Sequence, residues 1–144
     1  MIRLKWLVLI WAAAAALLAG CAGVKGSVPP NLVGTAWLLQ DLGGKGVIDD
    51  LQSTLEFPEE GKAAGNLGCN RFTTGATQSG PLLSFGMLAS TRRMCPPEVM
   101  DQEQLFSAVL GKTRGSLLEG DTLHLLDGRG AKLARLVRME QGEK

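Results

Sequence analysis

Short runs in which apolar and polar residues alternate, separated by turn residues, dominate the chain from about residue 31 onward and predict β-strands. The first covers residues 37–42 and stops at Gly43-Gly44. In residues 54–57, Leu55 and Phe57 share one face and Thr54 and Glu56 the other, and Pro58-Glu59-Glu60-Gly61 turns this strand back onto residues 62–66. Residues 72–78 and 82–88 flank Ser79-Gly80-Pro81 as a hairpin. Leu83, Phe85 and Met87 fall on one face of its second arm, and Gly86 inside that arm marks a bulge. Further strands are expected at 116–119, 122–126 and 132–139, joined at Gly120-Asp121 and at Asp127-Gly128-Arg129-Gly130.

One segment breaks the two-residue period. Over residues 98–110, Val99, Phe106, Val109 and Leu110 recur at helical spacing, whereas Asp101, Gln102, Glu103 and Gln104 are polar. Pro96-Pro97 opens this helix, Glu98 and Asp101 suit its positive N-terminal end, and Gly111 is placed to end it. Turns this short cannot make parallel crossovers. The expected class is therefore α+β and mostly antiparallel: a strongly curved sheet or partial barrel of about seven strands with one inserted helix.

The N-terminal pattern is of another kind. Arg3 and Lys5 precede an apolar run from Trp6 to Leu18, and Ala19-Gly20 leads into Cys21, the layout of a bacterial lipoprotein signal. The run is shorter than the roughly 20 residues of a spanning helix. Residues 1–20 are read as a cleaved signal, and Cys21 as the lipidated first residue of the mature chain. Residues 21–30, CAGVKGSVPP, are read as a tether, and 31–140 as one domain. Ala22 follows the cysteine, where known lipoproteins retained in the inner membrane have Asp. The expected location is the periplasmic face of the outer membrane, with the membrane engaged through the lipid.

Loss of Arg3 and Lys5 with the signal lowers the basic count from 15 to 13, against 14 acidic residues. So balanced a chain lacks the electrostatic footprint of a nucleic-acid binder. His124 is the single histidine and is read as a strand residue alternating with Leu123 and Leu125. Trp37 is read as core.

Two motifs carry a family resemblance. Gly68-Cys69-Asn70-Arg71-Phe72 with Gly75, followed by Thr91-Arg92-Arg93-Met94-Cys95-Pro96 ahead of a helix, resembles the META domain of HslJ-like bacterial lipoproteins. Gly34-Thr35-Ala36-Trp37 resembles the family's opening strand, Leu55, Phe57, Gly65 and Asn66 its segment before the GCN motif, and Gly120-Asp121-Thr122-Leu123 its closing hairpin. In place of the TRMAC common in the family, this chain reads TRRMC. The motif residues are thus Gly34, Trp37, Gly68, Asn70, Phe72, Gly75, Thr91, Arg92, Met94 and Pro96. The resemblance implies a non-enzymatic envelope protein linked to stress tolerance.

With Cys21 committed to lipid, three cysteines become the pair Cys69 and Cys95 in an oxidising compartment. A structural disulfide is the expectation, with free thiols or a redox pair as the alternatives. Gly68, Asn70 and Gly75 are read as supplying backbone conformations that bulkier residues resist, with Asn70 bonding its own loop. Arg71, Arg92 and Arg93 are read as a solvated face, with a small cationic patch as the alternative. No nucleophile, base and orienting acid assemble from this inventory, and no CxxC or His/Cys cluster is present, so neither catalysis nor a cofactor or metal is expected. The expected protein is a monomer with an envelope protein as its partner. The competing reading is a small-molecule module holding an apolar ligand inside the curved sheet, and a thiol redox protein stands third.

Overall fold

The structure, a computed structural model, describes residues 31–140. The signal, Cys21 and the tether lie outside the described residues. Nine strands and one helix follow in the order β1 (Thr35–Leu42), β2 (Thr54–Phe57), β3 (Lys62–Asn66), β4 (Arg71–Ser79), β5 (Leu82–Phe85), β6 (Ala89–Ser90), α1 (Pro97–Lys112), β7 (Gly115–Glu119), β8 (Thr122–Leu126) and β9 (Lys132–Arg138). Every pairing is antiparallel. The order β3-β2-β1-β9-β8-β7-β5-β4 closes on itself because β3 also pairs with β4. The result is the expected α+β class, as a ring of strands rather than a regular barrel. Its thin point is the β5–β7 seam, where the strand register holds a single pair, Leu82 with Gly115.

The ring's interior is packed with side chains. Trp37, Leu39, Leu42, Leu55, Phe57, Phe72, Leu83, Phe85, Leu123, Leu125, Ala134 and Leu136 point inward from the strands and join Phe106, Val109 and Leu110 of α1 in one cluster. Trp37 is fully buried, as the sequence predicts, and its indole N–H donates to Thr35 Oγ1 at 2.7 Å. Along β1 the inward residues are 37, 39 and then 42. The register against β9 slips between Leu39 and Asp41, and this irregularity turns Leu42 rather than Asp41 into the core.

Asp41 instead accepts hydrogen bonds from the N–H groups of Gly46 and Gly44, at 2.8 and 2.7 Å, within the β1–β2 loop. The Gly46 bond above all holds its carboxyl below the ordinary value of 3.8. A carboxyl depressed on folding stabilises the fold above its unfolded pKa, and that contribution is lost as pH falls through the lower folded value. Acid titration of stability is therefore expected to show a loss beginning near pH 4, with a shallower slope in Asp41→Asn. An unchanged slope would exclude Asp41 as a contributor.

The second arm of the predicted hairpin differs from its expected form. Residues 82–88 do not make one strand: β5 ends at Phe85, the Gly86 N–H donates to Gly75 O at 2.9 Å, and β6 then re-pairs with β4. Ala76 faces Phe85 whereas Thr73 faces Ala89, so this arm carries one residue more than β4 across the interval. The extra residue is the bulge expected at Gly86. It also breaks the alternation, so Met87 points outward and is 95 % exposed instead of sharing the buried face of Leu83 and Phe85. At the other end of the insertion, α1 runs past Gly111 to Lys112. Thr113 closes it by donating from its N–H to Leu110 O and from Oγ1 to Val109 O.

Candidate functional site

The chemistry-bearing residues gather where the β3–β4 loop meets the segment between β6 and α1. Cys69 and Cys95 are joined in a disulfide with Cα atoms 6.1 Å apart, tying that loop to the start of the helix. Asn70, 2 % exposed, lies beside it. Its Nδ2 donates to Arg93 O at 3.2 Å and to Glu103 Oε1 at 2.8 Å. Its Oδ1 accepts from Thr91 Oγ1 at 2.9 Å and from the Arg93 N–H at 2.7 Å. These four bonds fill the amide's capacity. The loop hydrogen bond expected of Asn70 is made by its backbone, which accepts from the Leu67 N–H, while the side chain bridges two other segments.

Glu103 completes the arrangement. Its Oε2 accepts from the N–H groups of Cys69 and Asn70 at 3.1 and 2.7 Å, so its carboxyl receives three donors inside the domain. At the adjacent helix position, Gln102 Oε1 accepts from the Ile48 N–H at 2.7 Å and its Nε2 donates to Ser53 Oγ, which donates onward to Leu67 O. Both helix side chains are buried, although they stand in the polar run of residues 101–104. The overlooked signal is their spacing: 99, 102, 103, 106 and 110 form one helical stripe, so Gln102 and Glu103 sit on the same face as Phe106. Buried polar groups on such a stripe need partners, and the loop backbone supplies them.

The glycines of the motif divide. Gly68 has φ 137°, and a Cβ there would lie 3.3 Å from Leu51 Cδ2 and 3.5 Å from Ser53 Oγ, so its role as a conformational residue holds. Gly34 holds φ 77° where the chain enters β1. Gly75 does not fit the expectation: it lies within β4, has no positive φ, and a Cβ would meet only Gly61 O at 3.9 Å. Gly68→Ala should lower stability by roughly 1–2 kcal/mol and Gly75→Ala by less than about 0.5 kcal/mol in denaturant titrations. Equal losses at the two positions would overturn the distinction.

The structure brings Gly68, Asn70, Thr91, Arg92, Met94, Pro96 and both cysteines together at this end of the ring. Gly34 lies at the other end, bonded to Phe57 O, and Trp37 and Phe72 belong to the core. Arg71, Arg92 and Arg93 are exposed. His124 is buried, with Nε2 2.8 Å from Glu119 Oε2, and Lys132 beside Glu119 holds that carboxyl below its usual range. The interior that an apolar ligand would need is occupied by the core side chains. The two clefts described are open to solvent and mixed in polarity, about 590 Å³ between the chain entry and the β2–β3 and β4–β5 turns, and about 500 Å³ over β3, β4 and β6. Among the described residues, no three His, Cys, Asp or Glu side chains converge as metal ligands.

A small antiparallel ring whose one helix is stapled to the β3–β4 loop by a disulfide and a buried Asn–Glu pair defines the class of this protein. The chain belongs to the META domain family, whose model matches residues 30–140. Two structures determined by NMR are similar. One has a TM-score of 0.58 at 25 % identity, covering 72 % of this chain and 87 % of its own. The other, of a protein from Burkholderia xenovorans, has a TM-score of 0.61 at 22 % identity, covering 80 % and 94 %. No curated protein matches the chain.

Proposed function

We propose that this META-domain protein is a lipid-anchored, non-enzymatic component of the cell envelope, held by Cys21 at the periplasmic face of the outer membrane and supporting envelope integrity under stress. The observation that carries the reading is the use to which the polar groups are put. Cys69, Cys95, Asn70 and Glu103, the residues from which chemistry would be built, are consumed in one another's bonds and in the backbone of two loops. A disulfide of this kind persists in an oxidising compartment, which agrees with the export signal read at residues 1–20. The acyl chains on Cys21 would hold the domain to the bilayer, each buried methylene contributing about 0.8 kcal/mol.

The test has two parts. Mass spectrometry of the mature protein should find a chain beginning at acylated Cys21 in the outer-membrane fraction, and Cys21→Ser should release the domain or leave the signal uncleaved. An intact 1–20 peptide on the wild-type chain would refute the anchor. Deletion of the gene should sensitise cells to heat and to envelope-permeating compounds, with rescue by the wild-type chain but not by Cys21→Ser. Full rescue by a soluble periplasmic form would refute the need for anchoring.

A further inference from the structure

The segment 91–96, between β6 and α1, is held by its backbone and by the side chains of Thr91 and Cys95, while the side chains of Arg92, Arg93 and Met94 extend into solvent. The Thr91 N–H donates to Arg71 O, and Thr91 Oγ1, the Arg93 N–H and Arg93 O all bond Asn70. Cys95 is fixed by the disulfide. Yet Arg92 and Arg93 are exposed, Met94 is 89 % exposed, and Arg71 stands exposed beside Thr91. None of these three guanidinium groups enters an ion pair with a described residue, so each is available to an incoming anion. A domain with nearly balanced charge thus places two exposed arginines on one preorganised strap and a third, Arg71, beside it at the start of β4.

Arg71 and Thr91 also line the open cleft of about 500 Å³, whose remaining walls include Ala64, Gly65, Thr73, Ala89 and Ser90. These side chains are small or absent. Gly65 must be glycine for another reason, since a Cβ there would fall 2.1 Å from Thr54 O. Glu56 is the one acidic lining residue and lies across from Arg71, which leaves the arginine side as the cationic bank.

We propose that the cleft and its arginine strap form a docking site for an extended acidic segment of a partner protein, with carboxylates gripped by Arg71, Arg92 and Arg93 and the peptide backbone laid over the small residues. Guanidinium groups pair with carboxylates bidentately, and a strap already ordered loses little entropy on binding. A protein segment is favoured over an anionic lipid surface by placement. The chain enters at the opposite end of the ring, where the Leu32 N–H meets Gln78 near the end of β4, roughly 20 Å along that strand from Arg71. The strap therefore lies at the end of the ring farthest from the point where the described chain begins. The bearing of that placement on the choice of partner rests on the anchoring reading, but the binding chemistry does not.

The test is a titration of the 15N-labelled domain, residues 21–144 in their oxidised form, with an eight-residue peptide alternating Glu and Ala, and in parallel with its Gln-Ala counterpart and with phosphatidylglycerol vesicles. The acidic peptide should shift the amide signals of Ala64, Thr73, Ala89, Ser90 and Arg92. Arg92→Glu/Arg93→Glu should weaken its binding at least 10-fold with the melting temperature unchanged, and Lys45→Glu/Arg129→Glu, which removes the same charge elsewhere, should weaken it less than 3-fold. Equal losses in the two double variants, equal binding of the Gln-Ala peptide, or binding to vesicles without binding to the acidic peptide would each overturn the proposal. None of these outcomes bears on the acylation of Cys21, which mass spectrometry reads separately.

Discussion

Glu103→Ala is expected to destabilise the domain by about 3–5 kcal/mol. The substitution removes the acceptor of three hydrogen bonds and strands the N–H groups of Cys69 and Asn70 and the amide of Asn70 in a region closed to water. Each buried donor left without a partner costs roughly 1–3 kcal/mol, and the shortened side chain also leaves a void under the loop. Glu103→Gln keeps the shape and one acceptor oxygen, but turns its new amide toward donors, so a smaller loss of about 1–2 kcal/mol is expected. Asn70→Ala and Glu103→Ala share the same bonds, and the double variant should therefore lose clearly less than the sum of the singles. Urea titrations of the four proteins decide this. A loss below 1 kcal/mol for Glu103→Ala, or strict additivity with Asn70→Ala, would mean that the pair does not hold the loop to the helix.

The second large effect is that of the disulfide. Removing it as Cys69→Ser/Cys95→Ser frees an unfolded-chain loop set by a sequence separation of 26, which in the chain-entropy description corresponds to roughly 3.5 kcal/mol. For a domain of this size the melting temperature should fall by about 10–20 °C. The wild-type protein in strong reductant should melt with the double serine variant, because the variant differs from the reduced chain by little more than two sulfur atoms. A wild-type curve unmoved by full reduction, verified by thiol titration, would show that the covalent link adds nothing to the hydrogen-bonded network beside it. The two effects are distinguishable, since reductant leaves Glu103 in place and Glu103→Ala leaves the disulfide in place.

Much of the architecture was legible in the chain. The strands at 54–57, 62–66 and 122–126 appear with the bounds that alternation and turns predicted, because each of these runs is bracketed by residues that end a strand. The helix was visible from Val99, Phe106, Val109 and Leu110, but the burial of Gln102 and Glu103 was not read from it: both stand in a polar run, and only their position on the Phe106 face indicates burial. Gly75 misled for a related reason. A glycine in a motif suggests an unusual backbone, yet here it lies in a regular strand with room for a side chain.

By itself, the sequence determined the antiparallel class, most strand and helix positions and the near-neutral charge, because these depend on local periodicity, turn chemistry and counting. Tertiary structure alone decided the closure of β3 onto β4, the outward turn of Met87, and the burial of Gln102 and Glu103 against the loops. Each depends on which distant segments meet. A one-residue bulge reverses a face, and a buried polar side chain is tolerable only when backbone donors and acceptors arrive from elsewhere in the chain to satisfy it.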